Sequence, residues 1–85
     1  MMDWDVIDVR PEGLHAFRVR FRDGVEGVVK FMPSAFRGVF ARLSNPAEFS
    51  RVSIANGVVT WPGELDLAPD AMHDQIVRTG EWILT

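Results

Sequence analysis

Apolar and polar positions alternate along much of this chain, and the alternation predicts strands. In Leu14–Phe21, His15, Phe17, Val19 and Phe21 fall on one face, with Ala16, Arg18 and Arg20 on the other. Trp4 to Arg10 is also strand-like: Trp4, Val6, Ile7 and Val9 lie among Asp residues, and Pro11-Glu12-Gly13 closes the segment with turn chemistry. Another strand is expected from Val25 to Phe31. Register decides the loop before it. A two-residue Asp23-Gly24 loop would set Phe21 beside Glu26 and Phe17 beside Lys30. A three-residue loop, Arg22-Asp23-Gly24, pairs Phe21 with Val25, Phe17 with Val29, His15 with Phe31 and Arg20 with Glu26. The second register buries a clean apolar face, which a one-residue slip would destroy. It needs a left-handed residue at the loop end, and Gly24 supplies one.

The period then changes. Pro33 is placed to open a helix. Phe36, Val39, Phe40 and Leu43 follow at i, i+3, i+4 and i+7, an apolar helical stripe. Gly38 inside it costs up to about 1 kcal/mol relative to Ala, and close approach of helix to sheet would account for its presence. Asn45-Pro46 ends the helix and turns Phe49 inward.

Arg51 to Trp61 reads as a second hairpin about a two-residue Asn56-Gly57 loop. That loop pairs Ile54 with Val59 and Val52 with Trp61 on one face. Pro62-Gly63 breaks the strand, and Leu65 and Leu67 are expected to be buried. Asp70 is an N-cap candidate for a helix from Ala71 to about Arg78, with Met72, Ile76 and Val77 on its apolar side. Thr79-Gly80 ends that helix. The last residues, Glu81-Trp82-Ile83-Leu84-Thr85, are apolar for a free end.

These elements predict the α+β class. One small domain over 1–85 holds a mostly antiparallel sheet: a three-stranded meander, a helix, a hairpin and a C-terminal helix, with the helices on one face. The C-terminal helix and apolar tail occupy 70–85.

Composition narrows the partners more than the fold. The chain has 85 residues and is 47% apolar, which suits one globular domain. It has no Cys, so its core must carry its stability without disulfides or thiolate metal sites. The N-terminal residues lack a basic segment followed by an apolar run, and no stretch approaches the roughly 18 apolar residues of a membrane helix. A soluble, cytoplasmic protein is the expectation. The net charge of −3 argues against a general nucleic-acid binder. The charge is uneven: residues 1–43 hold seven Lys/Arg against six Asp/Glu, and residues 44–85 hold two against six. Such polarity can orient a partner.

The motifs, once placed, resemble a family of small bacterial proteins classed as a domain of unknown function. The resemblance rests on Phe21-Arg22-Asp23-Gly24, Gly38-Val39-Phe40, Asn45-Pro46 with Phe49, and Trp61-Pro62 through Asp66-Leu67-Ala68-Pro69. It covers residues 5 to 74. The chain departs from the pattern at Lys30-Phe31, where the family often has Asp-Leu. It also departs at Gly63-Glu64, where the family usually reads Trp-Pro-Asn-Gly. The resemblance implies a small partner in paired-gene arrangements, in the manner of toxin–antitoxin components, and brings no catalytic residues.

Three constellations carry candidate chemistry. Asp70, His73 and Asp74 share a helix face beside Asp66, and carboxylates with an imidazole could hold a divalent cation. Capping by Asp70 and dipole-favoured acids explain the same residues more simply. Arg18, Arg20 and Arg22, with Lys30, form a basic stripe that suits phosphates or an acidic protein partner. No aromatics interleave with it, so a stacking platform for nucleic acid is missing. Trp82, Ile83 and Leu84 either dock on the sheet or anchor a partner. His15, on an apolar strand face, reads as structural, and no nucleophile motif surrounds either histidine.

The reading is a non-enzymatic protein-interaction module, antitoxin-like, without cofactor or metal. Its expected partner is another small protein, and alone it is a monomer or weak homodimer. The alternatives are a nucleic-acid-associated regulator using the arginine stripe and a small metal- or ligand-binding domain at Asp70, His73 and Asp74.

Overall fold

The computed structural model describes residues 4–85. Seven strands, two 3-10 segments and two α-helices build an α+β domain. β1 (Val6–Pro11), β2 (Ala16–Phe21) and β3 (Glu26–Phe31) form the expected meander. Phe17 pairs with Val29 and Arg20 with Glu26, and Phe21 N donates to Val25 O at 2.8 Å. This is the register of the three-residue loop. Gly24 sits at φ +90°, a conformation in which a Cβ is penalised. Strand β1 carries a bulge between Val6 and Asp8, which leaves Ile7 exposed.

The second hairpin also follows its turn. β4 (Ser53–Ala55) and β5 (Val58–Trp61) pair Ile54 with Val59 across Asn56 and Gly57, at φ 54° and 77°. It does not join the meander. With β6 (Leu65–Asp66) it makes a separate three-stranded sheet, because Pro62-Gly63 is a tight turn that sends the chain back along β5. The expected single sheet is therefore two.

The larger sheet gains a strand at its other end. Glu81–Leu84 forms β7, parallel to β3, giving the order β1-β2-β3-β7. The apolar tail is thus an edge strand. Trp82 and Leu84 lie beside Val29 and Phe31 on the core side, half-buried, while Ile83 faces outward beside Lys30.

The helix expected from Pro33 through Leu43 is absent. Two 3-10 segments, Pro33–Ala35 and Gly38–Ser44, stand in its place. Gly38 has φ +58°, and a Cβ there would meet nothing within 4 Å, so it serves a change of chain direction and not a close approach. Val39 is accordingly 71% exposed, while Leu43 is buried and Phe36 and Phe40 are half-buried. Asn45 caps the one-turn helix α1 (Pro46–Phe49), its Oδ1 accepting from Ala47 N at 2.9 Å, and Phe49 drops into the core.

Helix α2 (Pro69–Thr79) begins earlier than expected. Pro69 takes its first turn, and Asp70 lies within that turn and is not the cap. Met72 and Ile76 are buried, Val77 is exposed, and Gly80 ends the helix at φ 85°. α2 approaches β3 closely at Gly27: a Cβ there would lie 2.5 Å from Ile76 Cγ2 and 2.7 Å from the Gly80 carbonyl oxygen. This is where close approach does require glycine. Between the sheets, Phe17, Phe31, Phe49 and Trp61 pack with ring centroids 5.3–6.1 Å apart, mostly tilted or edge-on, as aromatic quadrupoles prefer.

Candidate functional site

All the buried side chains of the four-stranded sheet point to one side, toward α2 and the second sheet. The other side is an exposed face, and strand register lays out its residues in rows. Asp8, Arg20 and Glu26 form one row; Arg10, Arg18, Val28 and Glu81 the next; Ala16, Lys30 and Ile83 the third. Two parts of the sequence-based binding site thus share one surface: Arg18 and Arg20 lie on the same face as Ile83. Trp82 and Leu84 are not on it, because alternation turns them to the core. Arg22 falls past the end of β2, in the turn, where its N–H donates to Asp5 O at 2.8 Å.

The face is not a basic stripe. Arg10 bonds Asp8 at 3.0 Å, Arg18 lies 3.7 Å from Glu12, and Lys30 lies 3.4 Å from Glu81. Arg20 stands between Asp8 and Glu26 in its row. Such exposed pairs each contribute about 0–1 kcal/mol. Their larger effect is on recognition: they cancel the field that would attract a polyanion and leave an alternating pattern of donors and acceptors.

Asp70, His73 and Asp74, the lesser alternative as a metal site, have separate partners. Among the described residues, no group of three or more His, Cys, Asp or Glu side chains is placed to hold a metal. His73 reaches instead to the β2–β3 turn, where its Nε2 lies 2.7 Å from Asp23 Oδ2. A carboxylate only accepts, so Nε2 carries the proton of this bond. The Phe21 ring meets the His73 ring edge-on at 4.9 Å. The His73 hydrogen bond, and then the Val25 N–H that donates to Asp23 Oδ1 at 3.1 Å, hold the Asp23 carboxyl below its ordinary range. Asp74 pairs along the helix with Arg78 at 3.3 Å.

A family model described as a protein of unknown function (DUF2442) matches residues 6–78. The chain belongs to this family. No curated protein and no solved structure matches it. The segments that carried the sequence resemblance to the family have structural duties. Asp23 and Gly24 build the turn that α2 grips through His73. Trp61 is in the core, and its Nε1 donates to Phe49 O at 2.9 Å. Pro62 offers its carbonyl to the Arg42 guanidinium. Asp66 accepts from the Thr60 hydroxyl, Leu67 is buried, and Pro69 opens α2.

His15 is structural in the same sense. Its Nε2 donates to Ser44 O at 2.9 Å, and its ring packs on Phe36 and Phe49 at 4.6 and 5.6 Å. The Asp23–His73 tie was missed by sequence reasoning. Its partners are 50 residues apart and no spacing rule joins them. Among the described residues, no helix is long and apolar enough to cross a membrane.

Proposed function

We propose that this DUF2442 chain is a non-enzymatic protein-interaction module, an antitoxin-like partner subunit acting in the cytoplasm, and that it binds a small protein through the outer face of the β1-β2-β3-β7 sheet. One observation carries the reading: strand register gathers Arg18, Arg20, Lys30 and Ile83 on a single exposed face, where the aliphatic Val28 and Ile83 lie among charges of alternating sign. Mixed charge around an exposed aliphatic side chain suits a folded protein partner, where complementary charges fix orientation and the apolar residue supplies burial. The acids paired with these cations count against phosphate recognition. The charge pattern therefore favours protein over nucleic acid as the ligand.

The test is a tagged pull-down from native cell extract, run in parallel with an Arg18→Glu, Arg20→Glu double variant, with eluates identified by mass spectrometry. The reading expects one small protein in stoichiometric amount with the wild type and its loss with the variant. Equal recovery with both, or background alone with the wild type, contradicts it.

A further inference from the structure

Strand β7 has one flank on β3 and, among the described residues, no strand on the other. Its hydrogen-bond parity is fixed by two bonds: Val28 N donates to Gly80 O at 3.3 Å, and Met32 N donates to Leu84 O at 2.9 Å. In a parallel ladder the residues bonding inward are therefore Gly80, Trp82 and Leu84. Glu81, Ile83 and Thr85 direct their N–H and C=O groups away from β3. Thr79 Oγ1 donates to the Glu81 carbonyl at 2.8 Å, which centres the open stretch on Ile83. The side chains tell the same story. Trp82 and Leu84 point toward the core yet are only half-buried, with no strand beyond β7 among the described residues, and Ile83 is 46% exposed. An edge of this kind is a template for another strand.

We infer that the strand completing this edge is β7 of a second copy, paired antiparallel about Ile83, so that two four-stranded sheets join into one. Three of the registers that satisfy the hydrogen-bond parity bring Ile83 into a pair. One sets Glu81 opposite Ile83 and Trp82 opposite itself. Another pairs only Ile83 with Thr85 and Leu84 with itself. The third sets Ile83 against Ile83 of the second copy, Trp82 against Leu84, and Glu81 against Thr85. It centres the new ladder on the open N–H and C=O of Ile83, opposes apolar to apolar, and places each Glu81 side chain across from a neutral hydroxyl. Trp82 and Leu84 then form the closely spaced, non-hydrogen-bonded pair, each covering the other where the monomer leaves both half-exposed. The inner apolar row Phe17, Val29, Trp82 continues into Leu84 and Phe31 of the second copy. The strand is thus complementary to itself in charge and in shape of burial.

This inference goes beyond the proposed function. It concerns the backbone edge of β7, and the purified chain alone tests it, so its failure would leave the outer-face reading standing and the reverse is equally true. The experiment is sedimentation equilibrium of the full chain from roughly 10 µM to 1 mM, the range suited to a small interface. The variant is Ile83→Pro, which removes the outward N–H together with the Ile side chain and is tolerated on an edge strand. The expected result is a concentration-dependent rise toward twice the chain mass for the wild type. The variant should remain a monomer with an unchanged far-UV circular dichroism spectrum. Amide exchange supplies a check that needs no substitution: the Ile83 amide should become more protected, at least tenfold, as wild-type concentration rises. A wild type monomeric at 1 mM overturns the inference. So does a dimer that Ile83→Pro leaves intact, or an Ile83 amide whose exchange ignores concentration.

Discussion

The indole Nε1 of Trp61 donates a 2.9 Å hydrogen bond to the carbonyl oxygen of Phe49. This bond joins the second sheet to the one-turn helix α1 at the centre of the aromatic cluster, and it satisfies the single polar atom of a 2% exposed tryptophan side chain. Trp61→Phe keeps much of the ring volume and leaves the Phe49 carbonyl with its longer 3.3 Å bond from Val52 N. It should cost about 0.5–1.5 kcal/mol. Trp61→Ala adds a cavity and should cost about 3–5 kcal/mol. Urea unfolding of the two variants would show this order; equal losses would contradict it.

The close approach of α2 to β3 makes Gly27→Ala a sharp test of the packing. Its Cβ would meet Ile76 Cγ2 at 2.5 Å and the Gly80 carbonyl oxygen at 2.7 Å. Overpacking of this kind costs about 1–3 kcal/mol. Adding Ile76→Ala should relieve only part of the crowding, because the Gly80 carbonyl remains. A double-mutant cycle from denaturation midpoints would reveal that incomplete coupling. An unchanged midpoint for Gly27→Ala would contradict the helix placement.

The Asp23–His73 tie carries a pH dependence of definite sign. The Asp23 carboxyl lies below its ordinary 3.8, chiefly because His73 hydrogen-bonds to it. Its contribution is therefore fully present above that unfolded value and is lost as pH falls through the lower folded one. Asp23→Asn should lower the melting temperature at pH 5–7, and the gap to wild type should close only as pH falls below 3.8. A carbon-13 NMR titration of the Asp23 carboxyl with a midpoint at or above 3.8 would contradict this account.

At the turn after Trp61, Gly63 and Glu64 both have positive φ, 91° and 62°. Asn-Gly favours such consecutive left-handed positions. Glu64 is the strained residue, since its Cβ opposes this conformation at a cost of roughly 1–2 kcal/mol. Glu64→Gly should stabilise the protein by about 0.5–1 kcal/mol, read as a higher urea midpoint. A lower midpoint would show that the exposed Glu64 side chain is held by another contact.

Both hairpin registers were legible in the sequence, because at Asp23-Gly24 and Asn56-Gly57 the turn chemistry and the period-two pattern make the same demand. The stretch from Phe36 to Leu43 misled for a local reason. Its apolar spacing fits a helix, but Gly38 is left-handed and breaks the ladder at once. Other features were hidden because they are non-local. Parallel pairing of β7 with β3 joins residues some fifty positions apart, and nothing in Glu81-Trp82-Ile83-Leu84 names its partner strand. The Asp23–His73 tie has the same origin. The arginines on β2 were visible in the sequence, but the acids that offset them come from neighbouring segments, so the sequence overstated the positive charge of the face.

The most direct test of the outer face as a protein-binding surface is site-specific photo-crosslinking. A benzophenone amino acid would replace Val28, at the centre of that face, and in a second protein Val39, which is 71% exposed on the Gly38–Ser44 segment. After irradiation in the native cell, the account predicts one discrete crosslinked protein from position 28 and none of that mass from position 39. The same product from both positions, or a product from position 39 alone, would contradict it.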